Sequence, residues 1–325
     1  MAINHQFDPK LNHENQNYPY QPWLDSQQEQ FSVYQPVKRR RNSRRLRKHG
    51  FRFNCLGCFF ITSLLTLPIL CLILYLLFPI QTNILILGID YVDPPSYAAR
   101  TDTIILSTFK PLKPYIGLLS IPRDLWVNIP GIGENRINTA HFFAEVNETG
   151  SGPQATINTI KTNFGLEMDH FIRIRFEGFR EIVDAMGGVD IHLSEPMAGY
   201  SPGSYHLTGR KALAFVRHRL GEDDFFRMEH GQFMVKMIFK QMLHPKEWLR
   251  LPLILRAIFR SIDTDIPVWL WPRLGFMFLR LGPDGIESQT ITRDMVTPFT
   301  TSEGAQVLSP NWEMINPLIN EMFRN

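Results

Sequence analysis

The chain has 325 residues and a formal net charge of +3, enough for one large domain or two small ones. The basic excess is local: residues 1–52 carry ten Lys/Arg against four Asp/Glu, and the remainder carries 24 against 27, so the body is not the basic surface that nucleic-acid binding requires. Cys55, Cys58 and Cys71 all lie in or beside one apolar run, which excludes a disulfide framework for the body and leaves a C-x-x-C without a second ligand pair for zinc.

Residues 1–37 are rich in Gln, Asn, Pro and Tyr with no sustained apolar period, and read as disordered. A basic run from Lys38 to Arg52 follows. Between Phe53 and Ile80 there is no charged residue, and about 20 apolar residues suffice to span the hydrocarbon core. This predicts one transmembrane helix, with Pro68 as a tolerated kink. The basic flank places the N-terminus in the cytoplasm, and no Lys or Arg follows until Arg100, which sends the remainder outside. The expected organisation is a disordered basic cytoplasmic tail over 1–52, a membrane helix over 53–80 and an extracytoplasmic domain over 81–325 with a helical C-terminal part.

Within that domain Asn83–Asp90 (NILILGID), Asp102–Phe109 and Tyr115–Ile121 are short apolar runs and read as buried strands. Helices are predicted over Ile137–Val146 and Pro153–Phe164, a strand over His170–Phe176, and a helix over Gly178–Met186 that Gly187-Gly188 stops. A strand at Val189–Leu193 precedes a short helix at Thr208–Phe215 and a longer one at Asp224–Leu243. Two helical patterns occupy 247–281, Glu287–Thr292 reads as the last strand and Glu313–Phe323 as a terminal helix. Strands and helices alternate without a repeat, so the fold class is α/β, a mixed central sheet flanked by helices.

If the first three strands form an up-down-up meander, the end of the first, the start of the second and the end of the third share one sheet edge. Asp90, Asp102 and Arg123-Asp124 then meet there, with Arg100 just before the second strand. A lone aspartate at a strand end is usually a turn former. Two at matched ends beside arginines are harder to dismiss as structural and mark a candidate site. The histidines show no paired-ligand spacing and no G-x-S-x-G elbow is present, which leaves zinc and serine-nucleophile chemistry without a carrier.

The motifs NILILGID, RTDTIIL (100–106), LSIPRDL (119–125), IPG (129–131) and RINTA (136–140) resemble, in order, those of the LytR-CpsA-Psr family of envelope proteins. FEGFREIVDAMGGVDI (176–191), LTGRKALAFVRHR (207–219), DFFR (224–227) and VLSPNWEMI (307–315) continue the likeness. The resemblance implies an enzyme that transfers a glycan phosphate from a polyprenyl-diphosphate carrier to peptidoglycan at the outer face of a bacterial plasma membrane. It implies Asp90 and Asp102 as ligands of Mg2+ (or Mn2+), and Arg100, Arg123, Arg136, Arg217, Arg219 and Arg227 around the diphosphate, with Asp102 and Arg123 catalytic. Guanidinium suits that task through its planar fork and permanent charge. It further implies a hydrophobic tunnel for the lipid tail, and no nucleic-acid partner. Arg217 and Arg219, two residues apart, would share a face of an extended segment at the site mouth. Asp102 or Asp224 could take the hydroxyl proton. One departure stands out: where the family commonly has Arg-Gln-Gln, this chain reads His230-Gly231-Gln232. Two alternatives remain open at this stage, a diphosphatase acting on the carrier lipid and a non-enzymatic envelope regulator.

Overall fold

The computed structural model describes residues 55–78, 80–90, 98–111, 114–218, 224–282 and 285–324; side chains at 55–61 and 224 fall outside the description. The tail over 1–52, including its basic run, and the side chains of Cys55 and Cys58 therefore lie outside the described residues. Helix α1 (Cys55–Leu77) carries no charge and contains Pro68. Among the described residues no helix is long and apolar enough to cross a membrane; the described side chains of α1 begin only at Thr62.

Strands β1 (Thr82–Ile89), β2 (Thr101–Lys110) and β3 (Tyr115–Ile121) form the expected antiparallel meander. A hairpin of β4 (Trp126–Ile129) and β5 (Gly133–Arg136) follows, then α2 (Thr139–Asn147), α3 (Gly152–Phe164), β6 (His170–Arg175) and α4 (Phe176–Met186). A second hairpin, β7 (Val189–Leu193) and β8 (Gly203–Leu207), precedes α5 (Gly209–Val216) and α6 (Asp224–Met242). The C-terminal part holds α7 (Leu251–Ser261), β9 (Ile262–Thr264), α8 (Trp271–Leu281), β10 (Ile286–Thr290), the hairpin β11 (Val296–Thr300) and β12 (Gln306–Pro310), and α9 (Trp312–Ile319). It is thus more strand-rich than the expected helical part, and the strand predicted at Glu287–Thr292 is not the last.

The central sheet runs β10-β3-β2-β1-β6-β9, with β1–β6 and β3–β10 parallel and the other pairs antiparallel. Both faces are covered, so its middle strands read as apolar runs instead of alternating ones. Leu85, Leu87, Ile104, Leu106, Leu119 and Ile121 pack on one side against α3 and α9. Ile84, Ile105, Ile116 and Leu118 pack on the other against α6 and α8.

A buried ionic cluster joins these layers. The Arg173 guanidinium on β6 reaches Glu145 on α2 at 2.5 Å and Asp263 on β9 at 2.5 Å, and contacts His141 Nε2 at 3.2 Å. The other His141 nitrogen, Nδ1, lies 2.9 Å from the Ala99 carbonyl. A carbonyl only accepts and a guanidinium only donates, so His141 is neutral, with its proton on Nδ1. Burial lowers its pKa, against the Ala99 carbonyl, and the Arg173 charge lowers it further. Burial acts to raise the Glu145 carboxyl, but the Gly150 N–H, Arg173 and the Gly152 N–H outweigh it and hold it low. Both shifts make the unfolded chain the better proton binder, so stability is full above a pH of about 6.5 and falls as histidine and then carboxylate take up protons. Urea unfolding between neutral pH and pH 5 should show that decline, and His141→Asn should flatten it. Arg173→Ala leaves Glu145 buried and unpaired, and should cost about 3–5 kcal/mol in the same assay.

Candidate functional site

The edge where β1 ends, β2 begins and β3 ends is the edge the meander predicts. Ile89 pairs with Thr101 and Gly88 with Thr103, so the register slips between them and Asp102 is the extra residue of a β-bulge. Bulges re-aim side chains beside functional sites. Here the Asp102 carboxylate receives the Arg123 guanidinium at 2.5 Å, from the turn after β3. Arg227 on α6 approaches the same carboxylate at 3.6 Å and donates to the Asp102 carbonyl at 3.3 Å. Asp90 flanks the same Ile89–Thr101 pair and holds Arg217 at 3.0 Å. The two aspartates thus share a corner of the sheet, each already neutralised by arginine.

The charge chain continues. Arg123 Nε lies 3.5 Å from Asp124, Arg136 Nε lies 3.2 Å from the other oxygen of Asp124, and Arg136 donates to the Gln306 carbonyl at 2.7 Å. Arg136 therefore reaches Asp102 only through Asp124 and Arg123, set there by the β4–β5 hairpin. The C-terminal hairpin braces this loop, because Leu308 N–H donates to the Asp124 carbonyl at 3.1 Å. Arg100 is exposed just ahead of β2, and Arg219 lies outside the described residues. Arg217 stands in the turn just past the expected short helix, as the C-cap of α5 at φ −93°, ψ 4°, its guanidinium 5.1 Å from the Phe176 ring centre.

Two small recesses share the wall of Asp102, Thr103 and Arg227. One adds Phe176, Val216 and Arg217; the other adds Ile104, Ser120, Met228 and Gly231. Gly231 leaves space, since a Cβ there would meet only Val216 Cγ1 at 4.0 Å. Gln232 is buried behind the second recess, bonded to its wall residue Ser120 and to Thr290 and the Gln289 carbonyl. The apolar side chains of β6 and α4 are divided among separate packed clusters: Phe171 joins one, Ile172 another, Val183 a third, Ile182 and Met186 a fourth. Phe176 lines the first recess.

Among the described residues no group of three or more His, Cys, Asp or Glu could enclose a metal ion. The corner offers two carboxylates and no softer ligand. That donor set is too small for a structural zinc but fits Mg2+, which takes one or two carboxylates and fills its shell with phosphate oxygens and water.

Residues 80–322 match the model of the LytR_cpsA_psr family. The chain belongs to that family. Among curated relatives, the polyisoprenyl-teichoic acid–peptidoglycan teichoic acid transferase TagU of Oceanobacillus iheyensis is 40% identical over 190 residues, 57% of this chain and 58% of that one. The regulatory protein MsrR of Staphylococcus aureus (strain COL) is 25% identical over 219 residues, 65% of this chain and 64% of that one. The match thus spans under two thirds of each relative's length. Among solved structures, B. subtilis TagV superposes with a TM-score of 0.61 at 21% identity, covering 74% of this chain and 96% of that one. A structure described as TagT bound to LI-WTA gives 0.60 at 21% identity, covering 74% and 89%. These likenesses give the LytR_cpsA_psr fold, a mixed sheet between helices.

Gly88, the residue two before Asp90, is a site residue that sequence reasoning passed over; the Gly-x-Asp at the end of β1 was its signal. A Cβ at Gly88 would sit 2.9 Å from Thr103 Cβ, beside the bulge. Gly88→Ala should pry β1 from β2 there and displace Asp102. The expected result is weaker binding of inorganic pyrophosphate by calorimetry, by roughly tenfold, with a stability loss of about 1–3 kcal/mol typical of overpacking.

Proposed function

We propose that this chain transfers a glycan phosphate from a polyprenyl-diphosphate-linked donor to peptidoglycan, anchored in the plasma membrane by α1 with its folded body outside. The observation that carries the reading is the Asp102 carboxylate, seated on a bulge between Arg123 and Arg227 at the wall of both recesses. The name of its TagU relative supports the same reading.

Chemistry follows from what those groups prefer. Arg123, Arg217 and Arg227 rest on carboxylates in the free chain. A diphosphate brings more charge and more acceptor oxygens than a carboxylate, so the same forks turn to it bidentately. Arg100, Arg136 and Arg219 complete the cationic rim. Asp90 and Asp102, relieved of their arginines, are the residues that would hold Mg2+; when bound, it supplies positive charge to the phosphate oxygens. The guanidiniums orient the diphosphate for in-line attack by a wall hydroxyl on the glycan-side phosphorus, and they neutralise charge as the lipid phosphate departs. Arg217, stacked on Phe176, keeps one side of the recess dry.

Anchorage rests on the uncharged run 53–80 and on the bare apolar flank of α1. Leu64, Leu65, Leu67, Leu70, Leu72 and Leu74 are all exposed, the pattern of a helix made for lipid.

The test uses the full chain in lipid nanodiscs with a synthetic polyprenyl-diphosphate glycan, Mg2+ and peptidoglycan fragments. The expected products are phosphodiester-linked glycan and polyprenyl monophosphate. Arg123→Ala and Asp102→Ala should each lower turnover by roughly 10²–10³-fold while the melting curve stays cooperative, and chelation by EDTA should stop it. Release of glycan phosphate at an unchanged rate without acceptor would make the protein a hydrolase instead.

A further inference from the structure

A second surface stands apart from the arginine corner. Among the described residues, nine of the fourteen large apolar side chains exposed beyond Ile80 fall within 248–279. Trp248 is 54% exposed, Leu249 91%, Leu253 60%, Phe259 58%, Val268 74% and Trp269 68%. Phe259 at the end of α7 meets Trp271 at the start of α8 with ring centres 5.3 Å apart, so the exposed sides of the two helices adjoin at that contact. Exposed cations interleave with it: Lys246, Arg256 and Arg260 are all exposed, and Glu247 is the one acid between 245 and 260.

This face is tied to the end of α1. Arg273 on α8 is buried and donates to the carbonyls of Phe78 and Ile80, each at 2.5 Å. Those carbonyls belong to the segment that leaves the apolar helix, where no further turn donates to them. The clamp sets the start of α8 beside the point at which the chain emerges from α1.

Tryptophan and leucine on one side, arginine and lysine around them, and a position at the mouth of an apolar helix together match the chemistry of an interfacial helix lying in the headgroup layer. We propose that the α7–α8 face docks on the outer leaflet of the membrane that α1 enters, with Trp248, Leu253, Phe259 and Trp269 seated among the acyl ends of the headgroup region and Arg256 and Arg260 on anionic lipid phosphates. The inference rests on the reading of α1 as the anchor and adds a second, lateral contact to it.

The experiment uses full-length chain with Cys55, Cys58 and Cys71 replaced by Ser, carrying one cysteine at a time (Leu253→Cys, Phe259→Cys, or Met314→Cys on α9) labelled with an environment-sensitive fluorophore. The protein is reconstituted in vesicles containing phosphatidylglycerol and a lipid spin-labelled at the headgroup end. Insertion is scored separately by resistance to carbonate extraction. The expected result is inserted protein with quenching at 253 and 259 roughly twofold or more above that at 314, weaker in phosphatidylcholine alone and reduced by Arg256→Glu with Arg260→Glu. Inserted protein with equal quenching at all three positions overturns the docking and leaves the anchor standing. Self-quenching between copies at 253 without lipid quenching also overturns it, assigning the face to a second copy. Extraction by carbonate removes the anchor and the docking together.

Discussion

The site depends on how several guanidiniums are kept together before any ligand arrives. Two like charges about 4 Å apart repel by roughly 4 kcal/mol at an effective dielectric of 20, so a bare arginine cluster would spread. Here cation and anion alternate along one line, Arg227, Asp102, Arg123, Asp124, Arg136, with Arg217 on Asp90 beside it. On the proposed function the carboxylates serve as place-holders for phosphate. Half-buried at the corner of a sheet, they hold the forks in the plane a phosphate group would need, which lowers the reorganisation left for binding.

Backbone features put the anions where that line requires. Asp102 owes its direction to the bulge opposite Gly88 and Ile89, and Gly88 permits the bulge because no side chain fits between it and Thr103. Asp124 is held from behind by β12 through its own carbonyl. The Ala99 carbonyl, three residues before Asp102, is held by His141 from within the buried Arg173 cluster. Removing a partner from that cluster strands a charge far from solvent, so its effect on folding is large although it touches no recess.

The sequence made the meander legible because β1, β2 and β3 are buried on both faces and appear as unbroken apolar runs ending at charged residues. That pattern alone brought Asp90, Asp102 and Arg123 to one edge. The hairpins were illegible for the opposite reason. Strands β4, β5, β11 and β12 are only four or five residues long, and Pro298 and Pro310 within β11 and β12 argue against a strand. The turn signal at Ser302-Glu303-Gly304, where Gly304 takes φ 83°, was present but unsupported by apolar alternation. Arg136 was placed on the diphosphate by resemblance, whereas its position opposite Trp126 points it to Asp124, a link no residue spacing encodes.

The length of β1 separates anchor from chemistry. Eight residues at ~3.3 Å each put Asp90 roughly 26 Å from the strand's start, and that start lies five residues beyond α1. The arginine corner is therefore at the far end of the sheet from the helix exit, not directly above it. On the proposed function, a donor that stays attached to its lipid meets Asp102 if its tail climbs along the body or the body leans toward the leaflet. Arg280 on α8 donates to the Pro111 carbonyl at the near end of the sheet, and Arg250 beside α7 donates to the Met186 carbonyl at the end of α4. The basic, aromatic face of α7 and α8 is thus rigidly joined to both the sheet and the helix layer. On the docking reading, contact of that face with lipid fixes the inclination of the sheet, and with it the height at which Arg123 and Arg227 present themselves to a membrane-bound diphosphate.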